Sequence, residues 1–430
     1  MSIYRLMSWM NSGGSLLSET KVSHLVKDVI LAEDFDPKDL DNFSVRRSLQ
    51  QLDRDANDWI QTSVTISIPS KSREDGPQPY NVPGFNYRPL VNVICAAFAD
   101  AQAKVFHLLP FQRLWKDPVD GHQERVYDEL YTSDAWLEAQ DNPGCSLERV
   151  IAGLMFFSDA THLANFGMAK AWPLYLYFGN LTKYARVSPK SGACHLVGFL
   201  PSLPDSVKDI LGSLSRISKS GMVSLHAHCR RELFHACWDI LLDEDFIEAY
   251  RHGIILRCAD GVIRRVFPRI FIYSTDYPEK ALISTIKDMG LCPCPRCVMP
   301  KSLFGFLGLA RDMSSRVTNL RTYAKEKVVK ARDFIYRWGN TVAGTKVDNT
   351  LGEGSWVPTL NQFANKLGPL GLDPFRMLVV DFMHECELGT WKALFAHLIR
   401  ILFALPQGSQ LVATLDYRYG ELVRGATTCR

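Results

Sequence analysis

Two uninterrupted apolar runs lie close together and restrict the fold more than any other feature of the chain. The first, within Leu147–Phe157, ends in VIAGLMFF and meets Ser158-Asp159; the second, WPLYLYFG, covers Trp172–Gly179. Short runs of this kind bounded by Gly and Pro predict adjacent buried strands. Further on, Ile254–Cys258 and Val266–Ser274 flank Asp260-Gly261, a strong hairpin signal. The second of these runs ends in Ser274-Thr275-Asp276, and Pro278 stops it. Alternation over Trp59–Pro69 predicts another strand, and Met377–Val380 a short buried one. Helices are expected over Leu90–Leu109, most of Val207–Tyr250, the basic stretch Ser314–Trp338, and Asp381–Leu405, which Pro406 ends. Strands alternating with helices make the fold class mixed α/β, in which ligands gather at strand ends.

The expected organisation is an arm and linker over residues 1–89, a helical segment over 90–146 and a core over 147–430. Acids crowd the arm between Glu33 and Asp58, and the turn-rich Ser70–Pro89 is read as its linker. No stretch matches a membrane span, which needs about 20 apolar residues. The best candidate, Ala393–Leu405, is broken by His397 and Arg400. The N-terminus lacks the apolar stretch of a signal peptide. Eleven cysteines without an export signal point to thiols and a metal site, not to a disulfide framework. The expected compartment is therefore cytosol or nucleus. Net charge is only +3, so any nucleic acid would be met by local patches.

Two such patches exist. Arg316–Arg337 carries seven Lys and Arg (among them Arg316, Arg321, Lys325, Lys327 and Lys330) against Glu326 and Asp333, a net +5. Arg251–Arg269, with Arg264 and Arg265, has five against Asp260, a net +4. Both suit a phosphate backbone, although such runs more commonly form a solvated face.

Asp159 and Asp276 each follow a buried-looking run. A carboxylate there must be hydrogen-bonded, wet or paired with a cation; the plainer reading is a capping or turn aspartate. A third acid comes from DFMHECELGTWKALFAHLIRIL. Helical spacing extends the stripe Trp391, Leu394, Leu398 and Leu402 back to Glu387, making Glu387 core-facing, with Glu385 on a more polar face and Asp381 able to cap. Converging carboxylates would bind Mg²⁺ or Mn²⁺ and support phosphodiester chemistry. Cys294 and Cys297, in the CPCPRC loop 292–297, have the spacing of half a zinc site. Cys292, His226, His228 and Cys229 are the candidate partners. Free thiols in a tight loop are the equal alternative, and a redox pair the lesser one. P-loop, GxGxxG, GxSxG and HExxH motifs are absent.

FSDATHLANFGMAKAWPLYLYFGNL, RIFIYSTDYPEKALI with GLCPCPRC, and LVVDFMHECELGTWKALFAHLIRIL occur in that order. So do RLMSWMNSGG, FDPKDLDNFSVRRSLQQLD, SLPDSVKDIL and HCRRELFHACWDILLDEDFIEAYRHGI. Together they closely resemble the Plavaka family of fungal DNA transposases, relatives of the CACTA group, over nearly the whole chain. The resemblance implies an RNase H-like DDE/D core with a mostly helical insertion near 205–250 and an N-terminal arm. It implies metal-dependent cutting and joining of double-stranded DNA at transposon ends, in the nucleus and without a membrane, and it leaves room for a homo-oligomer. The first acid falls on Asp159 and the second on Asp276. For the third, the resemblance gives the shared Asp381…His384 pattern and leaves the acid open; the helical spacing favours Glu387, with Glu385 and Asp381 behind it. CPRC resembles the cysteine pair that follows the second acid in CACTA-like enzymes, which favours zinc. The chain starts without the N-terminal zinc-finger segment of many relatives and its last residues look unlike the family, so a truncated core is expected. The alternatives are a non-catalytic DNA-binding relic and a zinc-stabilised interaction module.

Overall fold

In the computed structural model, the described residues are 25–32, 35–41, 43–45, 58–70, 73–74, 76–140, 147–162, 170–189, 191–214 and 218–427. Much of the expected arm, including RLMSWMNSGG, lies outside them. Two compact units are distinguished, Met1–Gln61 and Thr62–Arg430. In the first, the described pieces include a π-turn at Leu25–Ile30 and a 3₁₀ turn at Pro37–Leu40, capped by the Asp36 side chain. The linker expected over Ser70–Pro89 and the segment over 90–146 fall within the second unit.

The core is a seven-stranded mixed sheet. Its strands are β1 (Ile60–Ile68), β2 (Gln78–Tyr87), β3 (Arg149–Ser158), β4 (Pro173–Phe178), β5 (His195–Phe199), β6 (Ile254–Arg257) and β7 (Ile263–Ser274). Their order is β1-β2-β5-β4-β3-β7-β6. β3, β4 and β5 form an antiparallel meander, and β7 returns parallel to β3. This arrangement is consistent with an RNase H-like core. β6 and β7 are the hairpin expected around Asp260-Gly261, with Gly261 at φ +84°. The supposed linker contains β2, a strand whose Pro83 and positive-φ Gly84 disguise it.

β3 is buried on both faces, which explains its unbroken apolar run. Val150, Ala152, Leu154 and Phe156 enter the main core, and Ile151 faces Trp136 and Phe267 on the other side. The principal helices are α1 (Leu90–Ala99), α2 (Lys219–Leu241), α3 (Glu244–His252), α4 (Tyr277–Ile283), α5 (Lys325–Tyr336), α6 (Lys392–Ala404) and α7 (Gly408–Thr427). α1 and α2 bring Val93, Ile94, Phe98, Phe234 and Trp238 into the main core. None of the described helices is long and apolar enough to cross a membrane. The long basic helix expected over Ser314–Trp338 is instead two helices, Ala310–Thr318 and α5, broken where Arg321 turns inward.

Close packing explains one glycine. A Cβ on Gly153 would stand 2.3 Å from the buried Trp136 ring. Gly153→Ala is therefore expected to lower stability by about 2 kcal/mol through overpacking. The check is urea unfolding, with the midpoint moving and the m-value unchanged.

Candidate functional site

The parallel pairing of β3 with β7 sets Ser274 opposite Phe157. The next residues along each strand therefore emerge side by side. Thr275 Oγ1 donates to the Ser158 carbonyl at 2.9 Å, tying the two ends together. One residue further, Asp159 and Asp276 are both half-buried and line the same cleft of about 630 Å³. Asp276 also caps α4, accepting from the Glu279 N–H at 3.0 Å. The sequence poses two readings for Asp276, cap and site; the side chain is a cap, and it also lines the cleft.

Behind the acids lies a carboxyl that sequence reasoning passed over. Glu279 is buried one turn into α4 and accepts from Ser158 Oγ and from Trp172 Nε1, the latter at 3.1 Å. Ser158 Oγ also meets the Tyr273 hydroxyl at 2.8 Å. Burial pushes the Glu279 carboxyl up to about 8, with the Asp276 charge adding, while the Ser158, Thr275 and Trp172 hydrogen bonds oppose the shift. Glu279 is accordingly mostly neutral at pH 7 and adds little charge behind the two aspartates. Its signal was the PEK following Asp276, an acid one helical turn after a capping acid.

The third element differs from expectation. Leu378 bridges Tyr273 in parallel, so Asp381 stands three residues beyond one partner as Asp276 stands three beyond the other. From Phe382 to Trp391 the backbone is a π-helix, so the angular step that carried the apolar stripe back to Glu387 does not apply. The stripe itself is not buried: Trp391 is 54% exposed and Leu398 42%. Glu387 is exposed, not core-facing. Glu385 receives the buried Lys280 ammonium and accepts from the Asp381 N–H at 3.2 Å. Asp381 pairs with the His384 ring and caps its N–H. Burial raises the Asp381 carboxyl, but the His384 hydrogen bonds and charge, with Lys280, outweigh it and hold Asp381 low. The bond to Asp381 raises His384, and the Asp276 and Asp159 charges add to it. His384 is thus in electrostatic contact with all three aspartates.

Among the described residues, no three His, Cys, Asp or Glu side chains gather closely enough to complete a metal site. The Asp159–Asp276 pair nevertheless suits Mg²⁺ or Mn²⁺ chemically. Mg²⁺ commonly takes one or two carboxylates, keeps several waters and completes its shell with substrate phosphates.

Hydrogen bonds hold the cysteine loop. Cys294 is pushed down to about 5 by the hydrogen bond from Cys297, against burial, with the Arg296 and Cys297 N–H groups and the Arg316 charge helping. Cys297 is raised correspondingly. Of the expected zinc partners, Cys292 donates to the Glu353 carbonyl at 3.6 Å. His228 is buried against Tyr336. No third ligand joins the pair among the described residues. Arg321, 2% exposed, donates to the carbonyls of Cys292, Cys294, Cys297 and Gly354. Arg321→Ala leaves these carbonyls without their donor and is expected to cost about 3 kcal/mol. Arg321→Lys cannot reproduce the planar fork, so urea unfolding should find both variants destabilised.

The basic patches need the same correction. Arg321 is internal. Arg264 is buried between Glu148 and Asp260, each at 2.7 Å. Arg316 pairs with Asp312 at 3.0 Å and Lys327 with Glu353 at 2.8 Å. Arg265 donates to the His252 carbonyl at 3.0 Å. Lys325 and Lys330 remain exposed on α5. The cations that line the acid cleft are Arg230 and Arg231 of α2; His226 beside them is held below the usual histidine range by burial and by the Arg230 and Lys208 charges. Only the consecutive charges inside HCRRELF, an otherwise core-forming helix, could have signalled them.

A family model described as Plavaka transposase matches residues 42–399. That range takes in both strand ends, α2, the cysteine loop and the Asp381 segment. No curated protein matches the chain.

Proposed function

The chain belongs to the Plavaka transposase family, and from that membership and the cleft we propose that it performs metal-dependent phosphodiester cleavage and strand transfer at transposon ends. The observation that carries this reading is the pair of carboxylates at the ends of neighbouring parallel strands, Asp159 and Asp276, opening on one cleft. In this reading Asp159 and Asp276 hold a divalent cation and Asp381 is the third acid, in place of Glu387. A cation bound there supplies Lewis-acid activation of a water or 3′-hydroxyl and of the leaving oxygen. In the cleavage step a water oxygen bonds to phosphorus, the P–O3′ bond breaks, and the 3′-oxygen leaves and takes up a proton. In transfer, that 3′-hydroxyl attacks a target phosphodiester, loses its proton, and displaces the target's own 3′-oxygen. Asp381 fixes the His384 ring, which feels the charges of Asp276 and Asp159.

The test is a labelled duplex carrying the element's terminal repeats, incubated with purified chain and Mn²⁺ or Mg²⁺. Nicking at the repeat boundary that stops with chelator is the expected result. Folded protein that binds the duplex and never nicks it would replace this reading with that of a DNA-binding derivative without catalysis.

A further inference from the structure

α2 turns one face to the cleft. His226, Arg230, Leu233, Phe234 and Cys237 recur at helical spacing along it, and Arg231 joins them. Leu233, Phe234 and Cys237 are buried, Arg231 is half-buried and Arg230 is exposed, so this wall runs from an apolar floor to a cationic mouth. The acids Asp159 and Asp276 line the same cleft, as do Asp205 and Asp288, which act as charges on His226 and Arg231. Among the described residues, neither Arg230 nor Arg231 has a hydrogen-bond or ion-pair partner. Arg231 is the more telling of the two. Burial lowers its proton affinity, the neighbouring Arg230 lowers it further, and Asp288 acts only as a charge at a distance. Partly desolvated guanidinium groups are normally matched by acceptors, because their five donors are costly to leave unmet. Half-buried Arg231, without an acceptor, and exposed Arg230 beside it line one cleft and together form a receptor for an anion. A phosphate's paired oxygens fit the guanidinium fork.

We propose that Arg230 and Arg231 hold backbone phosphates of the DNA strand that lies across Asp159 and Asp276. This rests on the reading of the cleft as a DNA-processing site. It replaces the buried or paired Arg316, Arg321 and Arg264 with a pair that can reach the substrate. The acids repel a backbone phosphate when no cation is present, so the attraction must come from other residues of the cleft.

The test measures affinity for a labelled duplex of arbitrary sequence across a salt series in chelator, where nothing is cut. The proteins compared are full-length wild type, R230A/R231A, R230K/R231K and D276N. R230A/R231A should bind roughly tenfold more weakly, and its salt slope should be shallower by about 1 for each arginine removed. R230K/R231K should restore the slope, and D276N should bind at least as well as wild type. Neither guanidinium makes a hydrogen bond or ion pair among the described residues, so R230A/R231A should fold, losing only the packing of the half-buried Arg231 side chain. If it does not fold, R230K/R231K on a duplex with single neutral methylphosphonate linkages takes its place. Strand cleavage in Mn²⁺ should then fall for R230K/R231K, because a point charge does not fix the phosphate as a fork does. Wild type that binds with the same affinity and slope as R230A/R231A overturns the proposal. Wild type that binds through this pair but never nicks DNA leaves the proposal standing and removes the catalytic reading instead. Wild type that does not bind DNA removes both.

Discussion

Asp276→Asn is expected to leave the fold intact and to reduce metal-dependent strand cleavage by about 10³-fold or more. The Asp276 side chain does two things. It caps α4 by accepting from the Glu279 N–H at 3.0 Å, and it presents charge to the cleft. Asparagine caps a helix about as well as aspartate, so the substitution preserves the first role and removes the second. A cation at a phosphoryl centre stabilises the transition state by several kcal/mol, and each 1.36 kcal/mol is about tenfold in rate. Asp159→Asn should behave in the same way, since no hydrogen bond of the fold depends on its charge among the described residues. Single-turnover nicking beside a thermal melt separates the two roles. Unchanged melting with lost cleavage is expected, whereas cleavage at the wild-type rate would make Asp276 only a cap.

Glu279→Gln is expected to flatten the pH dependence of stability and to make the protein more stable than wild type at pH 8. Burial raises the Glu279 carboxyl to about 8 in the folded chain, while in the unfolded chain it ionises near its ordinary value of about 4.3. The folded state therefore holds a proton that the unfolded state releases. The contribution of Glu279 to stability is fully present below about pH 4 and is lost as pH rises through 8. The slope in that window is about 1.4 kcal/mol per pH unit, and the loss sums to about 5 kcal/mol. Glutamine is neutral throughout, and its amide can accept from Trp172 and donate to Ser158, which leaves a cost of about 1 kcal/mol for the altered hydrogen bond. His228 and His235 act in the opposite sense. Burial lowers both to about 4, so their contribution is present above about pH 6.5 and is lost on acidification. They are common to both proteins, and the difference between wild type and Glu279→Gln isolates the carboxyl. Urea unfolding from pH 5 to 8 in chelator is the check; parallel profiles would contradict the assignment.

The parts legible in the sequence share a physical cause. β3, β4 and the β6–β7 hairpin carry apolar runs or turn chemistry strong enough to fix local structure, and the positions of Asp159 and Asp276 follow directly from where those runs stop. β2 was hidden because Pro83 and Gly84 read as turn residues, although a strand tolerates them at an irregular position. Glu387 was misplaced because an α-helical angular step was carried across a segment that winds as a π-helix. A spacing argument is no better than its assumed pitch. Arg321 was misassigned because positive charge suggests solvent. Here four carbonyls around the cysteine loop enclose the guanidinium, a tertiary effect that no window of sequence contains. Glu279, Arg230 and Arg231 became visible only when α2 and α4 came to face the same cleft. His384 likewise gained a role only once the Leu378–Tyr273 bridge brought its segment beside β7.

Under the proposed function, the carboxylates at the ends of β3 and β7 together hold a divalent cation. The most direct test is Mn²⁺ binding followed by electron paramagnetic resonance, comparing wild type with D159N, D276N and D159N/D276N, each shown to be folded. A saturable Mn²⁺ site is expected in wild type, weakened at least about tenfold by either substitution and absent in the double variant. Undiminished Mn²⁺ binding by D159N/D276N would contradict this reading.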